Sequence, residues 1–165
     1  MTPSVSLRRS WQPDDLAFLS ALARDPMTEP LLAPGASEPE SLRELAAAKP
    51  PFGLYLIEVD GTRAGGLALA PAGRAGSICE ISRVMVRPEA RGAGVATSAV
   101  RTACRLVLVD RGLHRIETQV YEDNAAGQRL FERAGFTREG VRRGAYRRRE
   151  RWLGGVYYGL LAEEL

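Results

Sequence analysis

The sequence predicts a mixed α/β (α+β) domain: a largely antiparallel central sheet with helices on both of its faces. Three observations carry that expectation. Two-residue alternation and helical spacing take turns along all 165 residues, the pattern expected where helices pack on a sheet. Asp60-Gly61 joins FGLYLIEV to TRAGGLALA, and this dipeptide suits the tight turn whose twist matches antiparallel strands. The β-branched run ending at Val86 leads through a glycine loop into a small-residue helix. No internal repeat or long linker divides the chain, so residues 1–165 are expected to form one domain.

Each element follows from local signals. SVSLRRSW alternates as a first strand. QPDDLAFLSALARD places proline and acids where a helix starts, and Leu16, Leu19, Leu22 and Ala23 give that helix an inner face. DPMTEPLLAPGASEPE is rich in proline and turn formers and reads as a loop covering something, a candidate lid. Ser41 to Ala48 is a short second helix, ended by Pro50-Pro51. After the Asp60-Gly61 hairpin, Ser77 to Val86 is a strand, Gly94 to Arg111 a helix closed by Gly112, and His114 to Tyr121 a strand. Asn124 to Ala134 is the last helix, closed by Gly135. EGVRRGAYRRRERWLGGVYYGLL then supplies two strands around an arginine-rich turn.

Composition narrows the function classes. A formal net charge of +3 permits nucleic-acid binding without demanding it, because no long like-charge block accompanies it. Only Cys79 and Cys104 occur, each in an apolar stretch without further metal-ligand pairs, so a reduced cytoplasmic protein with no metal is expected. No apolar run is long enough to cross a bilayer, and the first residues lack an apolar core segment; neither secretion nor a membrane partner is expected.

The glycine loop raises the chemical question. In RVMVRPEARGAGVATSAV, Gly92 and Gly94 lie between a strand and a helix with apolar residues at Ala96, Ala99, Val100, Ala103 and Val107. The free N–H groups and positive end of such a helix suit a phosphate, and glycine lets it approach closely; a pyrophosphate is the natural ligand. The spacing fits neither a dinucleotide fingerprint nor a nucleoside-triphosphate loop. A tight strand-to-helix turn without a ligand is the alternative reading.

The surroundings favour a ligand. Arg91-Gly92-Ala93-Gly94-Val95-Ala96 resembles the acetyl-CoA signature of the GNAT superfamily of N-acetyltransferases, and HRIETQVYEDNAAGQRLFERAGF resembles that family's next strand and helix. SLRRSWQPDDL and GFTREGVRRGAY are similar to the RimJ/RimL-type ribosomal-protein Nα-acetyltransferase branch, which extends the resemblance over nearly the whole chain. The resemblance implies a GNAT fold with a splay between the fourth and fifth strands. It implies acetyl-CoA between the strand ending at Val86 and the strand ending near Tyr121, pairing with backbone groups of Val84, Met85 and Val86, its pyrophosphate held by residues 91–96. Acetyl transfer would be direct, with a strand N–H near Met85 stabilising the oxyanion.

The attacking amine must first lose a proton, which calls for a carboxylate facing the cleft. Glu80 is the leading candidate, placed by alternation on one face with Ser82, Val84 and Val86; the competing reading pairs it with an arginine such as Arg115. Glu117 is second, with a solvent-facing strand residue as its alternative. Asn124 reads as a helix N-cap, and the resemblance adds a hydrogen bond to the pantetheine arm. Two positions depart from the family pattern at the general acid: Phe131 stands where many relatives have tyrosine, and Gly127 where the Rim branch often has serine. Water, Tyr121, Tyr146 or Tyr157 then becomes the candidate acid, and Phe131 keeps a packing role against the cofactor. The seven arginines between Arg138 and Arg151 read as a solvated turn, as an attractor of an acidic substrate or a coenzyme phosphate, or as a nucleic-acid patch, the last being the weakest. The expected partners are therefore acetyl-CoA and an amine acceptor, a protein N-terminus or a small amine. A homodimer stays open, and a non-catalytic acetyl-CoA-binding module is the alternative outside enzymes.

Overall fold

The computed structural model describes residues 3–165. Along the chain run β1 (Val5–Arg9), α1 (Pro13–Ala23), α2 (Pro39–Ala47), β2 (Gly53–Val59), β3 (Thr62–Ala72) and β4 (Ile78–Val86). There follow α3 (Val95–Cys104), β5 (Arg115–Tyr121), α4 (Ala125–Ala134), β6 (Thr137–Arg148) and β7 (Arg151–Leu161). The strands make one sheet in the order β1-β2-β3-β4-β5-β7-β6, and every neighbouring pair is antiparallel except β4 with β5. The β2–β3 turn is the one its sequence requires, with Asp60 and Gly61 both left-handed at φ 48° and 79°.

Alternation along the strands builds two cores. Tyr55, Ile57, Leu67, Leu69, Cys79, Ile81, Ile116 and Val120 meet α3 and α4 on one face. Leu54, Leu56, Ala68 and Met85 meet Leu19, Leu22 and Leu42 of α1 and α2 on the other. Helices thus lie on both faces, as expected.

Two helix boundaries differ from the sequence reading. α2 starts at Pro39, because proline at the first helical position is preset for the helix. α3 ends as an α-helix at Cys104, and Arg105–Asp110 continue with wider turns, in which the Arg111 N–H donates to the Leu106 carbonyl five residues back.

A larger correction concerns β4. Its pairing with β3 runs Ala68 with Ser82 and then Gly66 with Met85, so β4 carries one extra residue, and Arg83 takes a left-handed φ of 51°. Side chains change faces across this bulge. Cys79 and Ile81 point to the α3–α4 core, and so do Val84 and Val86, whereas Met85 joins the α1–α2 core. Glu80 and Ser82 therefore share a face with Met85, and not with Val84 and Val86 as strict alternation predicted. The facing strand makes room for the bulge: a Cβ at Gly65 would overlap the Met85 carbonyl oxygen, and one at Gly66 would overlap Leu19.

Candidate active site

β4 and β5 stay paired for only three positions, ending at Glu80 opposite Glu117. Above that point the Thr118 hydroxyl donates to the Ile81 carbonyl at 2.7 Å, and the strands then part. The separation opens a cleft of about 460 Å³. Ser82–Val86 line one wall and Thr118–Tyr121 the other; Asn124, Ala126, Gly127, Leu130 and Phe131 of α4 close one side. Beyond Glu80 the β5-facing edge of β4 has no strand partner among the described residues, so its backbone can pair there with an extended ligand.

The expected lid loop lies over the cleft, contributing Met27, Thr28, Leu31, Leu32, Ala33 and Ala36. Arginines from three separate segments fasten it. Arg83 donates to the Ala36 carbonyl at 3.2 Å and to Ser41 Oγ at 2.8 Å. Arg91 donates to Thr28 Oγ1 at 3.3 Å and folds back to the Val86 carbonyl at 2.9 Å. Arg148 donates to the Glu29 carbonyl and carboxylate at 3.1 and 3.2 Å. The arginine-rich turn is consequently not uniform: Arg147 and Arg149 are exposed, while the Arg148 side chain is only 13% exposed and lies over the Tyr121 ring.

Glu80 is the cleft's carboxylate. It is open to solvent at the mouth, yet protein surrounds the carboxyl enough to push its pKa up; the like charge of Glu117 pushes the same way, and Arg83 opposes. Arg115 does not pair with it, contrary to the competing sequence reading. That guanidinium is taken by Glu117 at 2.7 Å and by both oxygens of Glu139 at 2.7 and 2.6 Å. Gly159 makes this triad possible, since a Cβ there would strike both Arg115 and Glu139. Glu117 itself does not line the cleft.

On the opposite wall Tyr121 is buried, its phenol pKa raised by desolvation against the pull of Arg148. Tyr146 and Tyr157 share a 2.6 Å hydrogen bond and do not line the cleft. Phe131 belongs to the core, edge-on to Phe136 at 5.1 Å, with one side on the cleft. Asn124 Oδ1 accepts from the Gly127 N–H at 2.9 Å, the capping bond its position suggested.

Arg91 reaches the cleft, and beyond it Gly92 and Gly94 are left-handed at φ 80° and 76°. Both are exposed, with no heavy atom within 4 Å of where a Cβ would stand. Among the described residues no side chain caps α3, which leaves its first-turn N–H groups without a side-chain acceptor. An anion fits that geometry.

Residues 16–136 match the model of the Acetyltransferase (GNAT) family. The chain is a GNAT acetyltransferase. Solved structures agree in fold. An acetyltransferase of the GNAT family from Bacillus anthracis aligns with a TM-score of 0.82 at 18% identity, covering 97% of this chain and 96% of that one. RimJ from Mycobacterium smegmatis, in complex with CoA-disulfide, aligns with 0.80 at 25% identity over 98% and 83%. A variant of the spermidine N-acetyltransferase SpeG from Vibrio cholerae aligns with 0.78 at 20% identity over 96% of this chain and 94% of that one.

In this acetyltransferase one cleft brings together Glu80, Val84, Met85, Val86, Arg91, Tyr121, Asn124 and Phe131, but not Glu117 or residues 92–96, which form the turn into α3. Ser82, which the sequence placed on the face of Glu80, also lines it, as do Arg83, Thr118 and Gln119, which were missed from the sequence. The β5 residues could have been found, since they continue the strand that ends at Tyr121. The bulge at Arg83 carries no glycine or proline to announce it.

Proposed function

We propose that the protein transfers the acetyl group of acetyl-CoA directly to a primary amine, most fittingly an α-amine. The observation that carries this reading is the splay itself, where the unpaired wall of β4 and the Glu80 carboxyl share one cleft. Its residues fit the coenzyme: the β4 backbone would pair with the extended arm, and residues 91–96 would receive the pyrophosphate at the open turn into α3. Acetyl-CoA supplies an activated acyl group as a thioester.

Glu80 takes a proton from the acceptor ammonium, directly or through water, and burial with the Glu117 charge, by raising its proton affinity, makes it a stronger base. The amine lone pair then attacks the thioester carbon while an N–H of β4 near Met85 holds the developing oxyanion. Tyr121, kept protonated by burial, stands on the facing wall as proton donor to the departing sulfur. Both cysteines are buried, with thiols pushed up to about 12 by desolvation, so neither offers a thiolate for an acyl-enzyme route. The Rim-type resemblance of SLRRSWQPDDL and GFTREGVRRGAY favours a protein or peptide α-amine, and likeness to a spermidine N-acetyltransferase supports a small amine as the second reading.

The test is thiol release from acetyl-CoA against a panel of peptides, amino acids and amines, with the acetylated product identified by mass. Release coupled to one acceptor class is expected. Stoichiometric acetyl-CoA binding without release for any amine would leave a non-catalytic binding module.

A further inference from the structure

Two guanidiniums line the cleft without a carboxylate partner. Arg91 lies at the glycine-loop end, where the proposed pyrophosphate accounts for it. Arg83 lies at the Glu80 end, where it fastens the loop but holds no anion. Its Nε and Nη2 bond to neutral oxygens, the Ala36 carbonyl and Ser41 Oγ, and Nη1 has only a long 3.5 Å contact with Ser82 Oγ. Elsewhere Arg8 holds Asp15 and Glu58, Arg115 holds Glu117 and Glu139, and Arg148 holds Glu29, whereas the partly buried Arg9 is satisfied by the carbonyls of Phe52, Ala46 and Ala48 and lies away from the cleft. Desolvation makes an uncompensated charge costly, and it weakens Arg83's hold on its proton while Glu80 strengthens it. Yet Glu80 and Arg83 do not close into an ion pair, although both face the cleft. The left-handed bulge holds Arg83 out of line with the strand, so that an anionic and a cationic residue line the same cleft with no salt bridge between them.

We propose that Arg83 is the receptor for an anionic group on the acceptor, so that the acetylated amine carries a carboxylate within about one residue of it. This rests on the acetyl-transfer reading, in which Glu80 receives the ammonium proton. The arrangement is complementary to a zwitterion: the ammonium goes to Glu80, and the carboxylate to the Arg83 guanidinium, whose Nη1 is the nitrogen held only by the long Ser82 contact. A polyamine would bring a second cation against Arg83 and is disfavoured. Either a free amino acid or a peptide with an acidic first residue supplies this chemistry. The exposed Met27 and Leu31 at the lip of the cleft suit an aliphatic portion beside it.

Binding of acetylated products to the protein–CoA complex tests this without relying on turnover, and it avoids the differing basicities of free acids and amides. Calorimetry compares N-acetyl-leucine with its primary amide for the amino-acid source, and an acetyl-glutamyl with an acetyl-glutaminyl tripeptide amide for the peptide source. In at least one pair the acid is expected to bind roughly tenfold or more tightly than its neutral partner, the scale of a charged hydrogen bond. Arg83→Gln should bring that ratio within about twofold while CoA affinity holds, and Arg83→Lys should restore part of it. Equal binding of acid and neutral probes in the wild type overturns the proposal with no variant needed. So does an acid preference that survives Arg83→Gln. Failure of acetyl transfer to every free amine, read separately by thiol release, would defeat the catalytic reading instead.

Discussion

Glu80 is a carboxyl that the folded protein makes reluctant to ionise, and that reluctance has a sign that can be measured. Because burial and Glu117 raise its folded pKa, the folded state binds this proton more tightly than the unfolded chain does. The stability contributed by the group is therefore greatest below the ordinary carboxylate range and falls as pH rises through the raised folded value. Glu80→Gln, which has no charge to desolvate, should unfold at an equal or higher temperature than the wild type at about pH 8, the gap shrinking toward about pH 4. Its kcat should nevertheless fall on the order of a hundredfold to ten-thousandfold, with the acid limb of the pH profile lost. A variant that loses stability at neutral pH and keeps its turnover would return Glu80 to a structural pairing.

At the scale of elements, the loop over the cleft is held by contacts far apart in sequence. The Arg148–Glu29 bond joins residues 119 apart, and the same guanidinium lies over Tyr121. Glu29 is partly exposed, so the ion pair itself contributes at most about 1 kcal/mol, and the effect of breaking it should appear in the loop more than in global stability. Arg148→Gln should leave the unfolding temperature within a few degrees of wild type while speeding limited proteolysis between residues 25 and 38 several-fold, and it should raise the acceptor's apparent KM. Unchanged proteolysis would mean that Arg83, Arg91 and the 3.6 Å Arg149–Glu29 ion pair suffice to hold the loop. Gly127 is constrained through a different element. A Cβ there would come within 2.6 Å of the Asn124 amide and 2.9 Å of Val120, so the serine frequent in related enzymes has no room beside this cap. Gly127→Ser should displace the Asn124 cap and cost about 1 kcal/mol of stability, read by chemical denaturation. A variant as stable as the wild type would show that the cap accommodates the hydroxyl.

Across the whole molecule, what the sequence made legible was local. Asp60-Gly61, Gly92, Gly94 and Gly135 mark turns because only certain residues adopt left-handed backbone at low cost, and that signal needs no partner. The two cores follow from alternation wherever the strands are regular. Legibility ends where a feature depends on a distant contact or on an unmarked residue. The β4 bulge falls on an arginine, so alternation carried past it assigned the wrong neighbours to Glu80. The partners of Arg115 lie on its own strand and on β6, and no spacing rule links Arg115 to Glu139. The proposed acetyl transfer rests on one claim: that the splayed strands and the open turn into α3 form a single coenzyme site. Calorimetric titration of acetyl-CoA into wild type, Gly94→Ala and Gly94→Glu tests it most directly. Both variants share the left-handed strain, about 1 kcal/mol, but only glutamate places its own carboxylate at the α3 N-terminus, where it favours folding and occupies the anion cradle. The account predicts stoichiometric binding by the wild type, modest weakening in the alanine variant, and a loss of roughly a hundredfold or more in a cooperatively folded glutamate variant. Equal affinity in the two variants would contradict it and move the coenzyme's phosphates away from this turn.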